Sequence, residues 1–146
     1  MTWYASFYKK TFLISRYAKM KERMSLVGSM AWYIPDCYWP EHTSPGAYVS
    51  HEAICVLNAG NLDARLRITL YFEDREPMEG FAAQCGARRT NHVRLDQLRN
   101  EAGQSVPCGV PYAAMVESDV PVIVQYSRCD TTQAPLTLMT TVAYPL

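Results

Sequence analysis

Lysine is absent beyond Lys21. Residues 1–24 hold Lys9, Lys10, Arg16, Lys19, Lys21 and Arg23 against Glu22 alone, a net +5. Residues 25–146 hold eight arginines against thirteen acids, a net −5, so the overall zero hides an asymmetry. Nucleic-acid affinity rests on neutralising phosphates. An acidic, lysine-free body confines any such surface to the basic tail or to Arg88, Arg89 and Arg94. No apolar run approaches the ~20 residues of a membrane-spanning helix. The longest apolar run near the start, Phe12-Leu13-Ile14, is far below the ~7–15 residues of a secretory core. Cysteine is present five times, at 37, 55, 85, 108 and 129, an odd count with no CxxC spacing. That excludes a disulfide framework or zinc knuckle as the organising device and points to a reducing, cytoplasmic compartment.

Catalytic signatures are missing too. The chain has no GxSxG, no phosphate-binding loop, no GxGxxG and no HExxH. Ser50-His51-Glu52 sets a hydroxyl, an imidazole and a carboxylate in a row. Consecutive strand residues point to opposite faces, so these three cannot form one triad. His42, His51 and His92 match no metal-ligand spacing. Neither a metal nor a cofactor is expected.

What the chain does have is length and alternation. At 146 residues and 49% apolar composition it supports one core. Residues 1–24 show no clean period and read as a basic N-terminal extension outside the fold; residues 25–146 read as a single domain. In Ala64–Phe72, Ala64, Leu66, Ile68, Leu70 and Phe72 share one face, and Arg65, Arg67, Thr69 and Tyr71 the other. That is a half-buried strand. Residues 52–57 are apolar on both faces and read as a central strand, with Asn58–Asn61 as the turn that follows. Further strands are expected at 28–34, 81–85, 88–94, 112–117, 121–128 and 137–144. Pro121 belongs at a strand start or edge, because it has no N–H to give a ladder. One short helical turn is expected near 96–100, with Asp96 as its cap. The sum is an all-β chain: a small antiparallel β-sandwich or jelly roll of about eight strands.

Polar residues crowd into three otherwise apolar segments. The residues singled out are His51, Glu52, Arg89, His92, Arg94, Gln125, Arg128, Asp130 and Gln133. Buried polar groups must bond one another or meet a ligand. Arginine suits bidentate recognition of carboxylates, phosphates or vicinal diols. The first eight are therefore expected to converge, wholly or in part, near one end of the sandwich or at a subunit boundary, as an ion-pair network or as a small-ligand site.

Several blocks, in order, resemble the Anabaena-type sensory rhodopsin transducer family. They are Trp32-Tyr33-Ile34-Pro35, the run Val49–Gly60, Ile68–Pro77, Ala87–Arg94 and Val120–Ala134. The resemblance covers roughly residues 26–144 and leaves out 1–24. It implies a small β-sandwich that assembles as a homotetramer in the cytoplasm. It also implies a possible seven-helix rhodopsin or other membrane sensor as partner, and a sugar-like ligand. It carries over no catalytic residues. The resulting reading is a non-enzymatic signal-transducing or small-ligand-sensing protein. The alternative is a sugar-active or metal-dependent jelly-roll enzyme, and the second alternative a DNA-binding regulator.

Overall fold

The computed structural model describes residues 28–133 and 135–146; the extension expected at 1–24 lies outside the described residues. Alternation in the sequence becomes eight strands: β1 (Ser29–Cys37), β2 (His51–Asn58), β3 (Ala64–Tyr71), β4 (Met78–Cys85), β5 (Arg89–Arg94), β6 (Tyr112–Asp130), β7 (Thr137–Val142) and β8 (Tyr144–Pro145). Every pairing between them is antiparallel. One sheet runs β4-β3-β6-β1-β8, and the other runs β5-β2-β6-β7. The all-β sandwich expected from the alternation is the fold.

β3 shows why. Ala64, Leu66, Ile68 and Leu70 are buried, and Arg65, Arg67 and Tyr71 are exposed. The inward residues meet Trp32, Ile34, Ile54, Val56, Phe81, Val116, Val122 and Val124 in one core. At about 25 cal/mol per Å2 of apolar surface removed from water, this core is the main favourable term in folding. Phe72, expected on the strand, falls just past its end.

The two strands expected at 112–117 and 121–128 are one strand of nineteen residues. Its first half pairs with β3 as far as Ser118, and its second half pairs with β2 from Ile123. Between them the strand changes sheets. Ser118-Asp119 is therefore a corner rather than a turn, and the Asp119 carboxylate accepts the Arg65 N–H at 2.8 Å. Pro121 sits where the ladder is interrupted and no neighbour requires its N–H. The Trp32 indole N–H pins the corner, shared between the Val122 and Ser29 carbonyls at 3.0 Å each. Gly28 approaches so closely that a Cβ would lie 2.3 Å from the Val122 oxygen, and its φ of +121° is a glycine conformation.

The turn expected after β2 does join it to β3, over residues 59–63, and it crosses between the sheets. Asn58 is buried there and holds the crossing: its amide donates to the Leu62 and Cys85 carbonyls, and its oxygen accepts the Gly60 N–H. The single helical turn is a 3-10 turn at Leu95–Gln97, and Arg94 rather than Asp96 occupies its cap position. The Asp96 carboxylate instead takes a two-pronged bond from Arg94, 2.8 Å on each oxygen, which removes it from capping.

Candidate functional site

Glu52 alternates with Ile54 and Val56, so it points inward from β2 and is fully buried. A buried carboxylate must be surrounded by donors. Those donors come from both sheets. The Tyr112 hydroxyl, at the start of β6, donates to Oε2 at 2.5 Å. The Tyr126 hydroxyl, in the second half of β6, donates to Oε1. The Tyr38 backbone N–H, just past β1, donates to Oε1 at 2.5 Å. Arg128, two residues beyond Tyr126 on the same face, brings its Nε to 3.5 Å from Oε1 and 3.1 Å from the Tyr126 oxygen.

Burial, followed by the Glu52 charge, pushes the Tyr112 and Tyr126 hydroxyls well above the ordinary tyrosine range, so both remain donors. Burial and then Glu52 likewise push the Cys37 thiol far up, which keeps it protonated and unreactive. Burial alone would lower Arg128, but the bond to Tyr126 and the Glu52 charge outweigh it, and the guanidinium stays charged. Arg128 also lies 5.9 Å from the Tyr38 ring centroid and 5.8 Å from that of Tyr126. Its Nη2 reaches the exposed Asp36 at 3.4 Å, so the network runs from the core to solvent.

Asp36 borders two cavities. One, of about 330 Å3, lies at the end of β1, β3 and β6 and is lined by Pro35, Asp36, Tyr71, Phe72, Glu73 and Tyr112 among others. The other, of about 360 Å3, lies between β1 and the β7–β8 segment, against Tyr33, Met139, Thr141 and Tyr144. In the first, the Phe72 and Tyr112 rings stand 6.2 Å apart, and Arg75 covers Phe72 at 5.3 Å. Aromatic faces beside two carboxylates present stacking surfaces and hydrogen-bond acceptors to a small molecule.

Of the nine residues singled out in the sequence, only Glu52 and Arg128 meet. His51, His92, Arg94 and Gln125 stand on the opposite, outer face of the β5-β2-β6 sheet, where His92 and Gln125 flank Cys55. There the His51 ring bonds the Val49 carbonyl at 2.8 Å, and Gln125 donates to Thr140 at 2.5 Å. Arg94 is spent on Asp96. Arg89 is exposed and bonds the Arg88 carbonyl. Asp130 accepts the Thr132 N–H at 2.8 Å, which together with the Thr132 side chain lowers its carboxyl below the ordinary range. Gln133 is exposed in the following loop. Arg128 thus takes Asp36 and Glu52 as partners.

Asp36, Tyr38, Tyr112 and Tyr126 are not among the nine residues named from the sequence. Their signal was indirect: an acid at an inward position of an apolar strand demands donors, and buried tyrosines carry hydroxyls that need acceptors. Ser50 and His51 do not join Glu52; Ser50 bonds Thr131 at 3.0 Å instead. Among the described residues, no group of three His, Cys, Asp or Glu side chains could hold a metal ion. Among them, too, no helix is long and apolar enough to cross a membrane.

The family model for the Anabaena sensory rhodopsin transducer matches residues 27–145. The crystal structure of Thermotoga maritima 1070 is 38% identical with a TM-score of 0.72, over 82% of this chain and 96% of that one. The Anabaena sensory rhodopsin transducer is 37% identical with a TM-score of 0.63, over 74% of this chain and 94% of that one. No curated protein matches the chain. The matched region takes in all eight strands with the Glu52 network between them, and the chain belongs to the Anabaena sensory rhodopsin transducer family.

Proposed function

We propose that this chain is a non-enzymatic cytoplasmic signal transducer that binds a small, sugar-like ligand and works as a homotetramer. The observation that carries the reading is the continuity from Asp36 to Glu52. A ligand in the aromatic cavity touches Asp36, Asp36 is held by Arg128, and Arg128 contacts the carboxylate that ties the two sheets together. A ligand hydroxyl that bonds Asp36 competes with Arg128 for the same oxygens, so occupancy bears directly on the inter-sheet contact. Tyr71 offers a ring face for a sugar, and Asp36 and Glu73 accept from its hydroxyls. The polar outer face with His51, His92, Arg94 and Gln125 is a second surface on which a ligand or partner can be read.

Membrane proteins carry an excess of Lys and Arg on their cytoplasmic loops. The net −5 of residues 25–146 complements such a surface, which supports a rhodopsin or another membrane sensor as partner. Residues 1–24 are taken to stand outside the folding unit.

A thermal-shift screen of monosaccharides and sugar acids tests the ligand. One class should raise the melting temperature, by an amount equivalent to about 2.7 kcal/mol at one hundred times Kd. Asp36→Asn should abolish that shift while leaving the unliganded melting temperature in place, since the Asp36 side chain is 79% exposed. A panel without any shift, or a shift that survives Asp36→Asn, overturns the ligand reading. Light scattering should give about four times the 16.6 kDa chain mass. Deleting residues 1–24 should leave the melting temperature nearly unchanged; a fall of many degrees would place the segment in the fold.

A further inference from the structure

The aromatic cavity at the end of β1, β3 and β6 is one-sided in its hydrogen bonding. Its polar lining side chains are Asp36, Tyr71, Glu73 and Tyr112, and among the described residues no Lys, Arg, His, Asn, Gln, Ser or Thr side chain lines it. A carboxylate only accepts. Asp36 gives Oδ1 to Arg128 at 3.4 Å and keeps Oδ2 open to solvent. Glu73 is exposed and has no ion-pair partner among the described residues. The two hydroxyl protons are already placed: Tyr112 donates to Glu52, and Tyr71 donates to the Met115 sulfur at 4.0 Å. Pro35 and Pro111, also in the wall, have no backbone N–H to add. The lining side chains therefore offer a ligand acceptors and no free donor.

The charge points the same way. Arg75, which covers Phe72, holds Asp74 in a two-pronged bond of 2.7 and 2.8 Å and is neutralised there. Arg128 is shared between Asp36 and Glu52. Four carboxylates, Asp36, Glu52, Glu73 and Asp74, thus meet two guanidiniums, a net −2. A sugar hydroxyl both donates and accepts, so part of its capacity goes unmet here. A sugar acid brings more acceptors and the wrong sign. An ammonium brings three donors, no acceptor and the missing positive charge.

We propose that the ligand of this cavity is a single-ring amino sugar, its ammonium bound by Asp36 and Glu73 and its ring laid on Tyr71. The proposal rests on the small-ligand reading above and names the chemical class. Tyr71 is 41% exposed, and its ring face adds attraction for a cation. The volume of about 330 Å3 is at the lower end for ligand pockets, which suits one ring rather than a chain of them. Among the described residues, Asp36 and Glu73 belong to no group of three side chains that could hold a metal ion, so the cation is an organic one. An ammonium on Asp36 also takes over the charge that Arg128 supplies there, and leaves that guanidinium to Glu52.

Isothermal titration of the full chain with glucosamine, N-acetylglucosamine, glucose and glucuronate tests the proposal. Glucosamine should bind about tenfold more tightly than glucose, the difference between hydrogen bonds with and without charge. N-acetylglucosamine keeps the ring and loses the charge, so it should bind no better than glucose. Glucuronate should not bind. Added salt should weaken glucosamine and leave glucose unchanged. Glu73→Gln, at an exposed position, should keep the melting temperature and cut the preference for glucosamine over glucose several-fold. Glucose bound as tightly as glucosamine, with both lost in Asp36→Asn, overturns the cationic ligand and spares the small-ligand reading. A glucosamine preference that survives both Glu73→Gln and Asp36→Asn overturns the site. No binding by any of the four sugars overturns the proposal, and the small-ligand reading falls with it if the wider thermal-shift panel is silent too.

Discussion

Arg128→Ala should destabilise the protein by about 3–5 kcal/mol, the cost of breaking a buried ion pair by removing one partner. The loss is large because Glu52 stays behind, fully buried, with its charge partner gone. The exposed Asp36 contributes little to that figure, since pairs open to solvent are worth about 0–1 kcal/mol. Glu52→Ala should cost at least as much, because it strands the Tyr112 and Tyr126 hydroxyls inside the sandwich. Arg128→Ala combined with Glu52→Gln should lose less than the sum of the two single changes, since the amide needs no counter-charge. Chemical denaturation of the wild type, Arg128→Ala, Glu52→Ala, Glu52→Gln and the double variant reads all of this. Additive losses, or a loss below about 1 kcal/mol for Arg128→Ala, would show that Glu52 and Arg128 do not depend on each other.

Ile68→Ala should cost about 2–5 kcal/mol, in the range for truncating a buried aliphatic side chain. Ile68 is 1% exposed and pairs with Phe81 on β4 and Val116 on β6, so neighbours on both sides hold the cavity open. Arg67→Ala, one residue away, should change stability by less than about 1 kcal/mol. Its ion pair among the described residues, to Glu117 at 3.4 Å, involves an arginine that is 78% exposed. Equal losses from the two changes would reverse the register of β3.

Period-two alternation is a local property, and it was legible. The inward row of β3 and the apolar run of β2 follow from side chains alternating across a strand, with no knowledge of what lies opposite. The same local logic kept Ser50, His51 and Glu52 from acting together. It failed at β6. A Ser-Asp pair before a proline is a turn by composition, yet here it is a corner within one continuous strand. Whether a strand turns back or changes sheets depends on who pairs with it on each side. β3 stops at Ser118 and β2 begins at Ile123, and neither fact is written near Pro121.

The polar residues divide along the same line. Parity in the sequence already separates Glu52 and Arg128 from His51, His92, Arg94 and Gln125 once the strand registers are known; without the registers, three polar segments look like one cluster. Fold class, the direction each side chain takes from its own strand, the absence of familiar catalytic motifs and the family resemblance all came from the sequence alone, because each depends on neighbours a few positions away or on blocks kept in order. Tertiary structure decided that Glu52 is satisfied by Tyr112, Tyr126, the Tyr38 N–H and Arg128, and that Asp36 borders two cavities. Those contacts join residues 14 to 76 positions apart, across two sheets that share one bent strand, and such separations leave no local pattern to read.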